Sequence, residues 1–225
     1  MATTEATEDA DELWLFGYGS LLFKTNFPYV SWHPAYVRGF RRGFFQGSTD
    51  HRGVPGAPGR VVTLLQDPAA ITTGVVFRIA AKDRAATLTA LDIREKGGYA
   101  RFDIPCFAFF AEHSADPLLP PPTPAEALVS PAAVPKEICS RALCYIAMPD
   151  NDEFLGEAPI AAIADQVLSA RGPSGPNTEY VVKMAEALRH LGMLHWDPHV
   201  EALEAAVKAA LGTTEPFSAL KELPL

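Results

Sequence analysis

LWLFGYGSLL, residues 13–22, runs from an apolar segment into a glycine turn. Leu13, Trp14, Leu15 and Phe16 read as a short buried strand, and Gly17 marks the point where the chain leaves it. Downstream, four more segments carry β-branched or aromatic residues between Pro, Gly or Asp boundaries: 60–65, 74–79, 102–110 and 141–148. Helical periodicity interrupts this pattern at 82–94, where Ala85, Leu88 and Leu91 recur at three-residue spacing and Gly97-Gly98 offers a stop. It then dominates the second half. One helix opens at Pro159, with Ile160, Ile163, Val167 and Leu168 on one side and Gly172 as its end. A second covers 178–191. A third opens at Asp197-Pro198 and closes at Gly212. Strands early and helices late, without regular β-α alternation, predict an α+β domain around a mixed or barrel-like sheet.

The chain has 225 residues, 48% hydrophobic and 20% charged, enough for one sizeable core but short for two. Residues 13–212 therefore read as one domain. Residues 1–12, MATTEATEDADE, form an acidic tail without an apolar signal core or transit-peptide arginines, and 213–225 a C-terminal extension. Between 113 and 137 seven prolines deny the backbone its ladder bonds, so this stretch reads as a surface insertion.

A net charge of −8 opposes a nucleic-acid partner, whose affinity comes from Lys and Arg displacing counterions. No apolar run reaches the roughly 18 residues of a membrane span, so no membrane partner is expected. Three cysteines, Cys106, Cys139 and Cys144, are too few for a secreted disulfide framework and point to reduced thiols in the cytoplasm; Cys106 and Cys144 lie in apolar runs and read as buried. Arg38, Arg41, Arg42, Arg52 and Arg60 could draw in a small anion or simply form a solvated basic face.

Two features could carry chemistry. In GYGSLL, glycines flank an aromatic so that several N–H groups can point at one place and suit a carboxylate, although a plain turn is the competing reading. Glu95 ends a predicted helix, where the macrodipole disfavours a negative charge; buried there, its pKa would rise as a general base requires. A surface ion pair with Arg94 or Lys96 is the alternative. The six histidines lack partners at metal-ligand spacing, so no metal is expected, and Ser20 lacks the flanks of a nucleophile elbow.

GYGSLL, FFQGSTDHRGVPGAPGRVVTL (44–64), IREKGGY (93–99) and GPSGPNTEY (172–180), in this order and spacing, resemble the ChaC family. The resemblance implies a γ-glutamylcyclotransferase-like fold, a small mixed β-barrel with packed helices, and a cofactor-free enzyme that converts glutathione to 5-oxoproline and cysteinylglycine. It implies that Gly17, Tyr18, Gly19, Ser20, Leu21 and Leu22 bind the γ-glutamyl group, and that Glu95 is the proton acceptor. His51, Arg52 and Tyr180 lie in the same motifs and are candidate substrate contacts; tying loops to the barrel is their competing role. The alternatives are action on other γ-glutamyl amines or amino acids, or a non-catalytic regulatory protein.

Overall fold

The computed structural model describes residues 12–95, 97–109 and 136–212. Residues 1–11 of the acidic tail, most of the proline-rich insertion and residues 213–225 lie outside them.

Five strands close into a barrel: β1 (Leu13–Gly17), β2 (Ser31–Ser48), β3 (Gly59–Ile79), β4 (Tyr99–Ala108) and β5 (Glu137–Ala147), in the order β1-β3-β2-β4-β5. All pairings are antiparallel except β1 with β5, which meet in parallel at Leu15 and Leu143. The sheet is therefore mixed, as the sequence predicts, and closure leaves the short β1 no free edge. Residues from both faces of the sheet are buried, among them Leu15, Val37, Phe44, Leu64, Val76 and Ile146, because the interior and the helices outside each cover one face.

β2 is absent from the sequence reading. Its 18 residues contain Pro34, three glycines and three arginines, a composition that mimics a loop. Bulges explain it: the register slips between Arg38 and Phe40, around Gly39 at φ +81°, and again between Gly43 and Gln46. β3 likewise fuses the separate strands expected at 60–65 and 74–79. Residues 67–70, with Asp67 and Pro68, face only Gly39 across the slip, so Pro68 costs the ladder no bond.

Four α-helices occur among the described residues: α1 (Ala81–Arg94), α2 (Ile160–Ser169), α3 (Asn177–His190) and α4 (Pro198–Leu211). Ala85, expected on the buried face of α1, is exposed; the helix buries Thr87 and Leu91 instead, an i, i+4 stripe that continues to half-buried Arg94. α2 stops at Ser169 rather than Gly172, because Arg171–Gly172 pairs with Gly175–Pro176 in a two-stranded hairpin. α4 starts and ends as the sequence predicts: the Asp197 side chain accepts from Val200 N at 3.0 Å, and Gly212 takes the left-handed conformation. No helix among the described residues is long and apolar enough to cross a membrane.

His199, on the first turn of α4, accepts a hydrogen bond from Phe44 N at Nε2 (3.1 Å) and sits among the Phe44 and Phe45 rings. Burial pushes its pKa down, reinforced by Arg41 and Arg42 and opposed by Asp197 and Glu157. The unfolded chain, with a pKa near 6.5, then binds the extra proton first as pH falls. This contribution to stability is fully present above about pH 6.5 and is lost as pH drops through the folded-state value. Urea unfolding between pH 7.5 and 5 should show a steeper loss for the wild type than for His199→Gln; equal slopes would exclude a buried neutral imidazole.

Candidate active site

β1 delivers the chain to Gly17, and residues Ser20–Leu22 then form one 3-10 turn closed by Leu22 N to Gly19 O (3.0 Å). The loop cannot relax outward. Arg42, buried in the barrel, donates to Tyr18 O (2.6 Å), and the Tyr18 hydroxyl donates to Tyr145 O (2.7 Å). Gly19 lies close to the cleft wall: a Cβ there would stand a tight 3.2 Å from Val62 Cγ2 and in ordinary contact, 3.5 Å, with the Tyr180 hydroxyl.

Facing this loop is Glu95, the residue that caps the C-terminus of α1. Its neighbours at the turn are fixed by Asn151, whose Nδ2 donates to Gly97 O (2.7 Å) and Gly98 O (2.8 Å), while Gln46 Nε2 also reaches Gly97 O (3.1 Å). Gly98 has φ +80° and packs against Asn151 so closely that a Cβ would meet Nδ2 at 2.1 Å. The turn that presents Glu95 is thus held from β2 and from the loop after β5. Loop residues 17–21 and Glu95 line an open cleft together with Phe16, Val62, Tyr99, Tyr145 and Tyr180.

The Glu95 side chain is 19% exposed. Burial raises its pKa, only partly offset by the positive charges of Arg94 and His51, with Asp50 adding to the rise. Arg94 does more than neutralise. Its Nε lies 3.4 Å from Glu95 Oε1, Nη1 donates to Lys24 O (3.2 Å), and Nη2 donates to Ser20 Oγ. One guanidinium therefore spans the carboxylate and both ends of the 3-10 turn.

Tyr180, near the start of α3, accepts weakly from Val62 N (3.5 Å) and is wedged edge-on between Phe23 and Phe44. Its hydroxyl proton has no acceptor among the described hydrogen bonds and stands beside Gly19. Tyr99 Oη donates to Val62 O (3.3 Å), and Tyr145 Oη donates to Asp92 Oδ1 (2.9 Å).

Most residues read from the sequence meet here, and three do not. Leu22 is buried on the far side of the turn, against Phe77 and α3, and supports the loop without lining the cleft. Arg52 is committed elsewhere: it donates to Pro176 O (3.0 Å) and Glu179 Oε2 (2.7 Å) and stacks 5.9 Å from the Tyr180 ring. His51 is half exposed beside Asp50 and Ser174; its field reaches Glu95, but its side chain does not line the cleft. The other arginines of the basic stretch also have partners. Arg42 binds Asp197, Arg60 donates to Phe44 O and Gly156 O (both 2.9 Å), Arg41 pairs with Glu157, and Arg38 lies over Tyr36 and Phe107. They do not form an anion funnel. Arg94, Tyr99 and Tyr145 are absent from the sequence reading as site residues. Arg94 and Tyr99 flank Glu95 inside IREKGGY, which was the available signal; Tyr145 looks like core. Among the described residues no three His, Cys, Asp or Glu side chains cluster as a metal site would require.

Residues 13–210 match the family described as ChaC-like protein. The chain belongs to the ChaC-like family. It is 37% identical over 219 residues to rat glutathione-specific gamma-glutamylcyclotransferase 1, covering 96% of this chain and 86% of that one. It is 39% identical over 208 residues to gamma-glutamylcyclotransferase 2-3 of Arabidopsis thaliana, covering 90% and 92%. A crystal structure of a glutathione-specific γ-glutamyl cyclotransferase from yeast superposes with a TM-score of 0.74 at 28% identity, covering 88% of this chain and 96% of that one. The ChaC-like assignment thus spans the whole barrel, its helices and the cleft.

Proposed function

We propose that this ChaC-like chain is a glutathione-specific γ-glutamylcyclotransferase, releasing 5-oxoproline and cysteinylglycine in the cytoplasm, with residues 13–212 as its catalytic unit. The observation that carries the chemistry is a buried carboxylate of raised proton affinity, Glu95, opposed across a small cleft to a glycine loop. The names of the relatives supply the substrate.

The γ-glutamyl group holds its own nucleophile. Its α-amine attacks the γ-carbonyl, a five-membered ring closes, and the amide nitrogen of cysteine leaves. The chain must be folded into a near-attack shape, for which effective molarities reach about 10⁵–10⁸ M. Loop 17–21 and its N–H groups provide that template and face the developing oxyanion. Near pH 7 the α-amine is mostly an ammonium ion, so Glu95 takes one proton from it and returns it to the departing nitrogen. Tyr180, with an uncommitted hydroxyl proton at Gly19, is placed to donate to the substrate.

Incubating the purified protein with glutathione should yield 5-oxoproline and cysteinylglycine in equal amounts; intact glutathione after prolonged incubation would end this reading. Glutathione should also be preferred over γ-glutamylcysteine by about tenfold or more in kcat/KM, the worth of one charge-assisted contact to the glycine carboxylate. Equal values would remove recognition of that glycine and favour a broader γ-glutamyl substrate range.

A further inference from the structure

Cys106 on β4 and Cys139 on β5 are direct partners in the antiparallel ladder, and their thiols interact. Opposed residues in such a ladder have Cα atoms about 4.5–5.5 Å apart, with side chains on the same face. A disulfide spans about 4.4–6.8 Å between Cα atoms, a range that includes the spacing of opposed ladder residues. The register slips on both sides of Cys106, which bends the hairpin at this pair. Cys106 is fully buried, whereas Cys139 is half-buried; both are free, and neither takes part in the chemistry of the cleft. Cys144 is also buried, but it lies opposite Phe102 and so has no cysteine across the ladder.

We infer that Cys106 and Cys139 are a dithiol site that small-molecule disulfides convert into a cross-strand disulfide. The half-exposed sulfur of Cys139 attacks first. The adjacent Cys106 draws the Cys139 pKa down, while the Cys106 pKa is driven up by Cys139 and by burial. Attack breaks the S–S bond of the small disulfide, leaves one half on Cys139 and releases the other as a thiol. Cys106 then attacks the Cys139 sulfur and expels the second thiol. Two protein thiols lose two electrons and two protons, and one small disulfide becomes two thiols. The new bond joins residues 106 and 139 and closes a long loop, so it should staple the hairpin against unfolding.

The probe is bis(2-hydroxyethyl) disulfide buffered with 2-mercaptoethanol. Neither carries a γ-glutamyl group, so turnover in the cleft cannot change the buffer and the result is independent of the proposed activity. Non-reducing peptide mapping of the full chain should show a Cys106–Cys139 link that increases with the disulfide fraction. Cys144→Ser should leave it intact, and Cys106→Ser should stop at a mixed disulfide on Cys139. The oxidised protein should melt about 5–10 °C higher than the reduced protein. The wild-type map alone decides the pairing, whatever the variants do to folding. Free Cys106 and Cys139 at full oxidant, a stable mixed disulfide in the wild type, a link through Cys144, or a link without a rise in melting temperature would each overturn the inference.

Discussion

Glu95→Gln should lower kcat for glutathione by at least about 10²-fold and leave KM within a few-fold of wild type. A positioned base contributes about 10²–10⁴-fold, and the amide keeps the size of the side chain but cannot take the ammonium proton. The same substitution should not weaken the fold. Burial raises the Glu95 pKa above that of the unfolded chain, so the folded state holds its proton more tightly. The sign follows: as pH rises through the window from the usual carboxylate value to the raised one, the unfolded state releases its proton first and stability falls. At neutral pH the ionised side chain is a net burden that glutamine removes, and the variant should melt at or above the wild-type temperature. In the wild type, kcat should fall as pH drops through the raised pKa, while the residual rate of the variant stays flat. Stopped assays across pH and thermal melts check both halves. A variant that melts early yet keeps more than about a tenth of the turnover would make Glu95 a packing residue.

The loop and the carboxylate each carry a local signal with a plain alternative, a simple turn for one and a surface ion pair for the other, and it is the ChaC resemblance that gives them roles. GYGSLL breaks an apolar strand with two glycines, and Glu95 stands where a helix dipole resists it. Their meeting was not legible from these local signals. It depends on barrel closure through β2, whose Gly39 and Gly43 mark bulges and whose Arg42 points inward; by composition these residues look like a basic loop. Arg94 was hidden for a similar reason. A basic residue in the last turn of a helix is ordinary, and only the Thr87–Leu91–Arg94 face of α1 turns it toward Ser20 and Lys24. Tyr145 sits within ALCYIA, an apolar run indistinguishable from core until its hydroxyl is seen on Asp92 at the mouth of the cleft. Arg52 carries two readings, a substrate contact and a tie between loops. Its motif suggested a carboxylate clamp, and the carboxylate it holds is Glu179 of its own chain.

Arg42→Met should destabilise the protein by about 3–5 kcal/mol, the usual result of removing one partner of a buried ion pair. The Arg42 side chain is fully buried. Its Nε donates to Asp197 Oδ2 (2.6 Å), Nη1 to Tyr18 O (2.6 Å), and Nη2 to Thr73 O (3.1 Å). Methionine fills much of the volume and supplies none of these donors. Asp197, which also caps α4 through Val200 N, would keep a charge in a nearly closed site without its cation. For a chain of this size the melting temperature should drop by roughly 6–20 °C. Asp197→Asn in the same chain removes the stranded charge and retains a capping oxygen, so the double variant should recover part of the loss. Because Arg42 also grips Tyr18 O, the double variant should still show a raised KM, since the loop that shapes the cleft has lost its anchor even where α4 is capped. A single variant that melts within about 1 °C of wild type would mean that solvent or a neighbouring side chain replaces the guanidinium. A double variant with wild-type KM would show that the Tyr18 Oη to Tyr145 O bond alone holds the loop.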